Sequence, residues 1–375
     1  MRVIVDGQDF DVDLFGAETI GIVRAAVARA LLADGRCIVS CSVDGMPDPP
    51  AHAGLEGLSC LAITTQPHWA CVKNGRVTLS GEDETMTFDG KTLLAEAVAV
   101  FDAALRPRRM RVTALTAAGA DVTDVLSMSK PCGSFDALSC VVSKIRGERR
   151  AVVTLVLGSG FKRIADLCAP FMHSYAKAHH ADFHCITAPR IGLPFPHFEK
   201  WQLMSLFAKY ERIMFVDSDV LLDPRAPDIF AAVPAESVGA FDESPYGPRD
   251  EVIADAQHEL GPIAWTHGYL NSGIGVYSYL HRPLFVATEH DIVLRAHFFE
   301  QTTYNYRIAK YGYPVEPLPW QWNCMDNNGH DRFAAYAVHY AGSGYTGCGD
   351  LDATTFFTKK SEGIVKDIAL RFGGA

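Results

Sequence analysis

No CxxC pair occurs among the ten cysteines of this 375-residue sequence, so the spacing of a zinc or thioredoxin-type site is missing. Cys60, Cys140 and Cys185 lie in the apolar runs GLSCLAI, ALSCVVS and DFHCIT and read as small buried hydrophobes. That usage fits a reducing, cytoplasmic setting better than a secreted one. No run of about 18 apolar residues is present, which excludes a membrane-spanning helix. The start, MRVIVDGQDF, has no long apolar stretch of the signal-peptide kind, so none is expected. Basic residues are in deficit, 34 against 44 acidic ones, for a net charge of -10. A nucleic-acid binder needs a basic footprint, and none dominates here. With 48% hydrophobic and 21% charged residues, the composition excludes a disordered, collagen-like or coiled-coil chain. At about 150 residues per domain, the length implies two or three domains.

What is present first is a duplication. RVIVDGQDFDVDL (2–14) aligns with RVTLSGEDETMTF (76–88), each an alternating hairpin around a central glycine, Gly7 or Gly81. ETIGIVRAAVARALLADGR (18–36) aligns with KTLLAEAVAVFDAALRPRR (91–109), both with helix-spaced apolar residues. CIVSCSVDG (37–45) aligns with RVTALTAAG (111–119), a strand ending in glycine, and the offset stays at 74 throughout. Leu58-Ser59-Cys60 then answers Leu138-Ser139-Cys140, each expected in a further strand. The unit is β-β-α-β-β, about 75 residues, twice. Its order resembles a β-grasp (ubiquitin-like) module, in which a hairpin feeds a helix that covers one sheet face. The predicted boundaries are 1–75 and 76–146. His52 and His68 are isolated and read as structural or solvated. Asp6, Asp9, Asp11 and Asp13 lack the EF-hand spacing and read as a solvated face. With no catalytic cluster, the repeats read as a docking element for an acceptor or protein partner. KIRGERR (144–150) reads as a solvated tether, so removal of residues 1–145 is expected to spare donor chemistry.

From about residue 150 to 375 the pattern changes to that of an α/β domain. Ala151–Leu157 is a continuous apolar run ending in Gly158-Ser159-Gly160, the mark of a buried parallel-type strand. A helix is predicted over Phe161–His179, with Pro170 expected to kink or break it. DFHCIT (182–187) follows as a strand, and FEKWQLMSLFAKY (198–210) as a helix with Trp201, Met204, Leu206, Phe207 and Tyr210 toward the core. Arg212–Val216 is the next strand, running into Asp217-Ser218-Asp219. The order β-α-β-α-β points to a doubly wound, mostly parallel sheet, whose ligands sit beyond the carboxyl ends of the strands. Two carboxylates two residues apart at such an exit can reach one hard cation, Mg²⁺ or Mn²⁺. Spacing alone also allows a pair of solvated turn acids, Asp223-Pro224 marking such a turn. KKSEGIVKDIALRF (359–372) reads as an amphipathic helix packed on the domain.

YERIMFVDSDVLL and the blocks after it resemble the nucleotide-sugar glycosyltransferases of GT-A fold, most of all the family 8, glycogenin-like, retaining enzymes. The blocks are Gly239–Asp242, Gly268–Val276, Glu300–Asn305, Leu318–Asn323 and Val338–Gly342. The resemblance implies a GT-A domain at 150–375 and a UDP-sugar donor. It implies that Asp217, Asp219 and His339 hold Mn²⁺ (or Mg²⁺), with Asp217 and Ser218 also near the donor ribose. It puts Lys200, Asp242 and Asn271 against the transferred sugar, and Glu300 with Gln301 beneath its anomeric carbon. It sets Gly342 at the diphosphate, extended by Gly344, and Thr154, Leu155 and Gly158 at the uracil. The family pattern H-x-x-G-x-x-K ends here in Tyr345, which brings a hydroxyl but no charge. Lys162 or a residue of the C-terminal tail would have to replace that lysine.

The expected function is therefore metal-dependent transfer of a sugar from a UDP-sugar to an acceptor hydroxyl, with retention. Two alternatives stay open: a sugar nucleotidyltransferase using GSGFKR (158–163) as phosphate loop, and a non-catalytic nucleotide-sugar-binding protein with a degenerate transferase fold. The residues identify neither donor sugar nor acceptor.

Overall fold

Alternation sets the first strand: in β1 (Arg2–Val5) Val3 and Val5 turn inward while Arg2 stays exposed. The computed structural model describes residues 2–11, 19–33, 36–47, 49, 53, 55, 58, 60–67, 76–81, 84–135, 138–288, 291–294, 298–342 and 352–373. His52, His68, Asp13, Gly344 and Tyr345 lie outside them. Asp6 and Gly7 both have positive φ (49° and 81°), the two-residue hairpin geometry that matches strand twist, and lead into β2 (Gln8–Asp9). The helix Ile20–Ala33 follows, then β3 (Arg36–Val43), β4 (Met46–Pro47) and β5 (Cys60–Pro67). The sheet order is β2-β1-β5-β3-β4, with β1 and β5 parallel and the other neighbours antiparallel. Ile20, Val23, Val27 and Leu31 of the helix meet Val3, Val5, Cys41 and Leu61 of the sheet in a core of their own. Asp9 and Asp11 are exposed, and Asp9 pairs with Arg2.

The elements recur further along. β6 (Arg76–Gly81) and β7 (Glu84–Asp89) form the hairpin. The helix Leu94–Leu105, β8 (Met110–Ala117) and β9 (Ala120–Asp121) begin 74 residues after Ile20, Arg36 and Met46 respectively. β10 (Leu138–Lys144) pairs antiparallel with β8 and lies against β6. The second unit does not stand apart, however. Its helix residues Leu94, Val98 and Phe101 share one core with Phe207, Tyr277 and Phe285 of the following domain. Arg111, fully buried, pairs with Glu211 at 2.8 Å, and buried Asp102 pairs with Arg282. The expectation of a solvated tether at 144–150 is thereby corrected. Arg149 donates its backbone N–H to Glu211 (2.6 Å), and Arg150 pairs with Glu148 and Asp228. The apolar face of the helix Leu94–Leu105 is too wide for its own three-stranded sheet β10-β8-β9 to cover, and it buries against the next domain instead.

That domain carries β11 (Arg150–Leu155), β12 (Ala181–Ile186), β13 (Arg212–Val216), β14 (Val220–Leu222), β15 (Val238–Asp242), β16 (Leu270–Ser278), β17 (Val315–Pro317) and β18 (Ala337–His339). Six of them form a mixed sheet, β12-β11-β13-β16-β15-β17, in which β16 alone runs against its neighbours. β14 and β18 make a separate antiparallel ladder. The helix Ser159–Ala178 passes through Pro170 without interruption, so the expected break is absent. Residues 198–210 depart from the expected helix: Pro196–Gln202 forms 3-10 turns and only Leu203–Leu206 a helical turn. The tighter turns bury Phe198, Glu199, Lys200 and Trp201 in succession, which one face of a 3.6-residue helix cannot do. The C-terminal helix runs over Ala353–Phe372 and packs on Ser159–Ala178, Phe357 filling the space over Gly160. Arg332 (2.8 Å) and Tyr340 (2.7 Å) tie its Asp367 to the sheet side.

Cys41, Cys132, Cys168 and Cys324 are free and buried, Cys60 and Cys140 half-buried. Cys185 is exposed, against the expectation of burial, because β12 is an edge strand with one face toward solvent. No described helix is long and apolar enough to cross a membrane.

Candidate active site

β13 is buried along its whole length and delivers Asp217 to the carboxyl edge of the sheet. The Asp217 backbone N–H donates to Gly273 O of β16 (2.7 Å), and the chain turns so that Val220 N–H donates to Asp217 O (3.1 Å). Ser218 and Asp219 are buried in that turn. The ladder of β14 with β18 sets Val220 opposite His339, so the histidine arrives beside Asp219 from 120 residues further along. One ligand atom each from Asp217, Asp219 and His339 lies within 4.8 Å of the others. His339 Nε2 is 3.5 Å from Asp219 Oδ1 and 3.8 Å from Asp217 Oδ2. Ligands of an octahedral cation with bonds near 2.1 Å stand about 3–4 Å apart, so the set fits a divalent ion with small side-chain adjustments. Two carboxylates and one imidazole suit Mn²⁺ or Mg²⁺.

The histidine is held in the tautomer such a site needs. Glu243 is a buried carboxylate and accepts from Asn271 Nδ2 (2.9 Å). Asn271 Oδ1 therefore accepts, from Gly273 N–H (2.9 Å) and from Asn323 Nδ2 (2.8 Å). That turns Asn323 Oδ1 toward His339 Nδ1 at 2.8 Å. Facing an acceptor, Nδ1 carries the proton, and the Nε2 lone pair points at the aspartates. Gly273 makes the approach feasible, since a Cβ there would lie 2.3 Å from His339 Cε1 and 2.9 Å from Asp217 Oδ2.

A second cluster adjoins the first. Lys200 Nζ sits 3.2 Å from Asp217 Oδ1 and 3.3 Å from Glu300 Oε2. Burial works against the Lys200 charge, but Asp217 and Glu300 outweigh it and hold the ammonium above its usual range. Burial raises the Glu300 carboxyl, with Lys200 opposing. Gln301 is engaged at both ends: its Oε1 accepts from Ser272 N–H (3.0 Å) and its Nε2 donates to Glu243 Oε1 (3.1 Å). Arg249 closes the group on Glu243 at 2.8 Å.

Lys360 of the C-terminal helix completes the picture. Its Nζ lies 2.9 Å from Asp219 Oδ2, and its side chain is only 3% exposed. Burial opposes charge on Asp219, yet the His339 ring and the Lys360 ammonium prevail and hold its carboxyl well below the ordinary range.

Of the residues predicted from sequence, the fold brings Asp217, Asp219, His339, Lys200, Asn271, Glu300 and Gln301 together. Ser218 lies in the same turn, with its side chain buried. Asp242, at the end of β15, instead accepts from the backbone N–H of Ser244 (2.9 Å) and Tyr269 (3.1 Å). Thr154 and Leu155 end β11, and Gly158, at φ 81°, precedes the helix Ser159–Ala178. Thr154 Oγ1 is buried without a partner. Gly342 has φ 54° three residues beyond His339. Lys162 is 68% exposed and paired with Asp166, so of the two proposed sources of charge the tail, through Lys360, is the one at the site. Sequence reasoning missed Glu243, Arg249, Ser272, Asn323 and Lys360. Asn323 closes one of the quoted blocks, and Glu243 directly follows another.

No protein-family model matches this chain, and no curated protein matches it. Among solved structures it is similar to a glycosyltransferase involved in glycosylation of the major capsid of PBCV-1, with 12% identity, 57% of this chain and 99% of that one covered, and a TM-score of 0.41. It is similar to the galactosyltransferase LgtC in complex with donor and acceptor sugar analogs, with 16% identity, 56% and 95% covered, and a TM-score of 0.38. It is also similar to the glycosyltransferase GlyE of Streptococcus pneumoniae TIGR4, with 13% identity, 60% and 64% covered, and a TM-score of 0.36.

Proposed function

We propose that the chain is a divalent-metal-dependent glycosyltransferase with a GT-A domain at 150–375, moving a sugar from a UDP-sugar to an acceptor hydroxyl with retention. The observation that carries the reading is the Asp217–Asp219–His339 cluster at the carboxyl edge of the sheet, its histidine locked in the metal-binding tautomer. Those three residues would hold Mn²⁺ or Mg²⁺, which as a Lewis acid stabilises the departing nucleoside diphosphate. Asn271, Glu300 and Lys200 line the adjoining cluster and would orient the transferred sugar. Gln301, held at both ends, positions its neighbours and gives electrostatic support rather than attacking. Thr154, Leu155 and Gly158 would meet the base, Ser218 the ribose, Gly342 and Tyr345 the phosphates, and Asp242 the sugar side.

The nucleotidyltransferase alternative needs a basic phosphate loop after β11, and Lys162 there faces solvent on Asp166. For residues 1–75 and 76–146 the reading is two β-grasp-like units, supported by the order β2-β1-β5-β3-β4, that recruit acceptor or partner.

The test is turnover of a UDP-sugar panel, hydrolysis included, with Mn²⁺, beside calorimetry of UDP with and without the metal. Wild-type activity should fall at least about a hundredfold in Asp219→Ala and in His339→Ala. Absence of both turnover and Mn²⁺-dependent UDP binding would sink the reading.

A further inference from the structure

Lys360 stands out because a buried cation already occupies an oxygen that the metal-site reading, on which this inference rests, assigns to a divalent ion. Around the site four carboxylates, Asp217, Asp219, Glu243 and Glu300, face three cations, Lys200, Arg249 and Lys360. One negative charge is left. A divalent ion added to this arrangement makes the site positive, which is unfavourable in a buried setting unless an anion comes with it. A nucleoside diphosphate is such an anion. Lys360 can serve both situations, because an ammonium on a four-carbon stem is a point charge with three rotatable donors and no fixed fork. Its helix is anchored independently of it, through Asp367 on Arg332 and Tyr340 and through Phe357 over Gly160. The side chain can therefore turn while the helix stays.

We propose that Lys360 exchanges partners: it holds Asp219 Oδ2 when no metal is bound, and turns to the phosphates of a nucleoside diphosphate when Asp219 engages a divalent ion. Metal and nucleotide then bind cooperatively, each raising the affinity of the other by the same factor. Lys360 acts on metal affinity as an internal competitor and on nucleotide affinity as a ligand.

The test titrates MnCl₂ into the full chain and into Lys360→Met by calorimetry, each with and without saturating UDP. Mn²⁺ alone should bind the variant at least about tenfold more tightly than wild type, since one nearby positive charge is gone. UDP should tighten Mn²⁺ binding strongly in wild type and far less in the variant. Equal Mn²⁺ affinities in the two chains, or equal enhancement by UDP, overturn the proposal. Failure of Mn²⁺ to bind either chain overturns the metal-site reading itself, and the proposal with it. Where the variant does not fold, as its melting curve would show, wild type decides alone: no UDP enhancement of Mn²⁺ binding overturns the exchange.

Discussion

Asn323 touches neither carboxylate of the cluster, yet it decides what His339 can do. Its amide is oriented by Asn271, which is oriented in turn by Glu243. In Asn323→Ala the ring loses the acceptor at Nδ1, and the proton is free to move to Nε2, where it blocks a ligand position. Mn²⁺ affinity measured by calorimetry should drop about 10–100-fold in this variant, with little change in melting temperature. An unchanged affinity would remove Asn323 from the positioning role. Residues of this kind are hard to read in a sequence. Asp217 and Asp219 are legible because an apolar strand runs straight into them. Asn323 and Glu243 come to the site from separate turns and are linked to it only through side-chain amides. Lys360 is illegible for a related reason: periodicity places it on a helix, but only the tertiary packing points its ammonium inward.

Among the elements, strands were the most readable. β11 and β13 are apolar throughout and buried, so their pattern and their burial agree. The segment 196–206 was not, since its burial follows 3-10 turns and not a helical stripe. A related 3-10 stretch, Tyr279–Phe285, offers a pH test. His281 accepts from Ser278 N–H at Nδ1 (2.9 Å) and meets Glu236 O through Nε2 (3.1 Å), capping the stretch. Burial pushes this imidazole down to about 4, the Glu236 carbonyl opposing. An unfolded histidine titrates near 6.5, so between roughly pH 6.5 and 4 the unfolded chain binds the extra proton. The contribution of neutral His281 is thus complete above about pH 6.5 and disappears as the pH falls toward 4, up to about 3 kcal/mol. In denaturant titrations, the stability gap between wild type and His281→Gln should narrow from pH 7.5 to pH 5. A gap that does not change with pH would contradict this.

At the scale of the molecule, the duplication was legible as an offset, but its unequal attachment was not. Both copies have the same element order. Only packing distinguishes the first, with its own core, from the second, whose core is continuous with the sheet domain. A chain lacking residues 1–75 loses the Arg29–Glu259 contact and should still fold, bind Mn²⁺ and UDP, and hydrolyse donor. Its transfer to the true acceptor should be depressed. Removal of residues 1–145 would instead bare the apolar surface around Phe207 and Phe285 and leave Glu211 and Arg282 buried without Arg111 and Asp102, so that chain should be recovered only as aggregate. Soluble, UDP-binding protein from the longer deletion would refute this division.

The continuous core has a kinetic consequence as well. Strands β6 to β10 leave the ribosome before any of the sheet domain they pack against, so the helix Leu94–Leu105 must wait with its apolar face uncovered until Phe207 and Phe285 emerge. The first repeat can complete itself at once. Synthesis of this chain therefore passes through an interval, about a hundred residues long, in which its middle third depends on a chaperone or on slow translation to stay in solution.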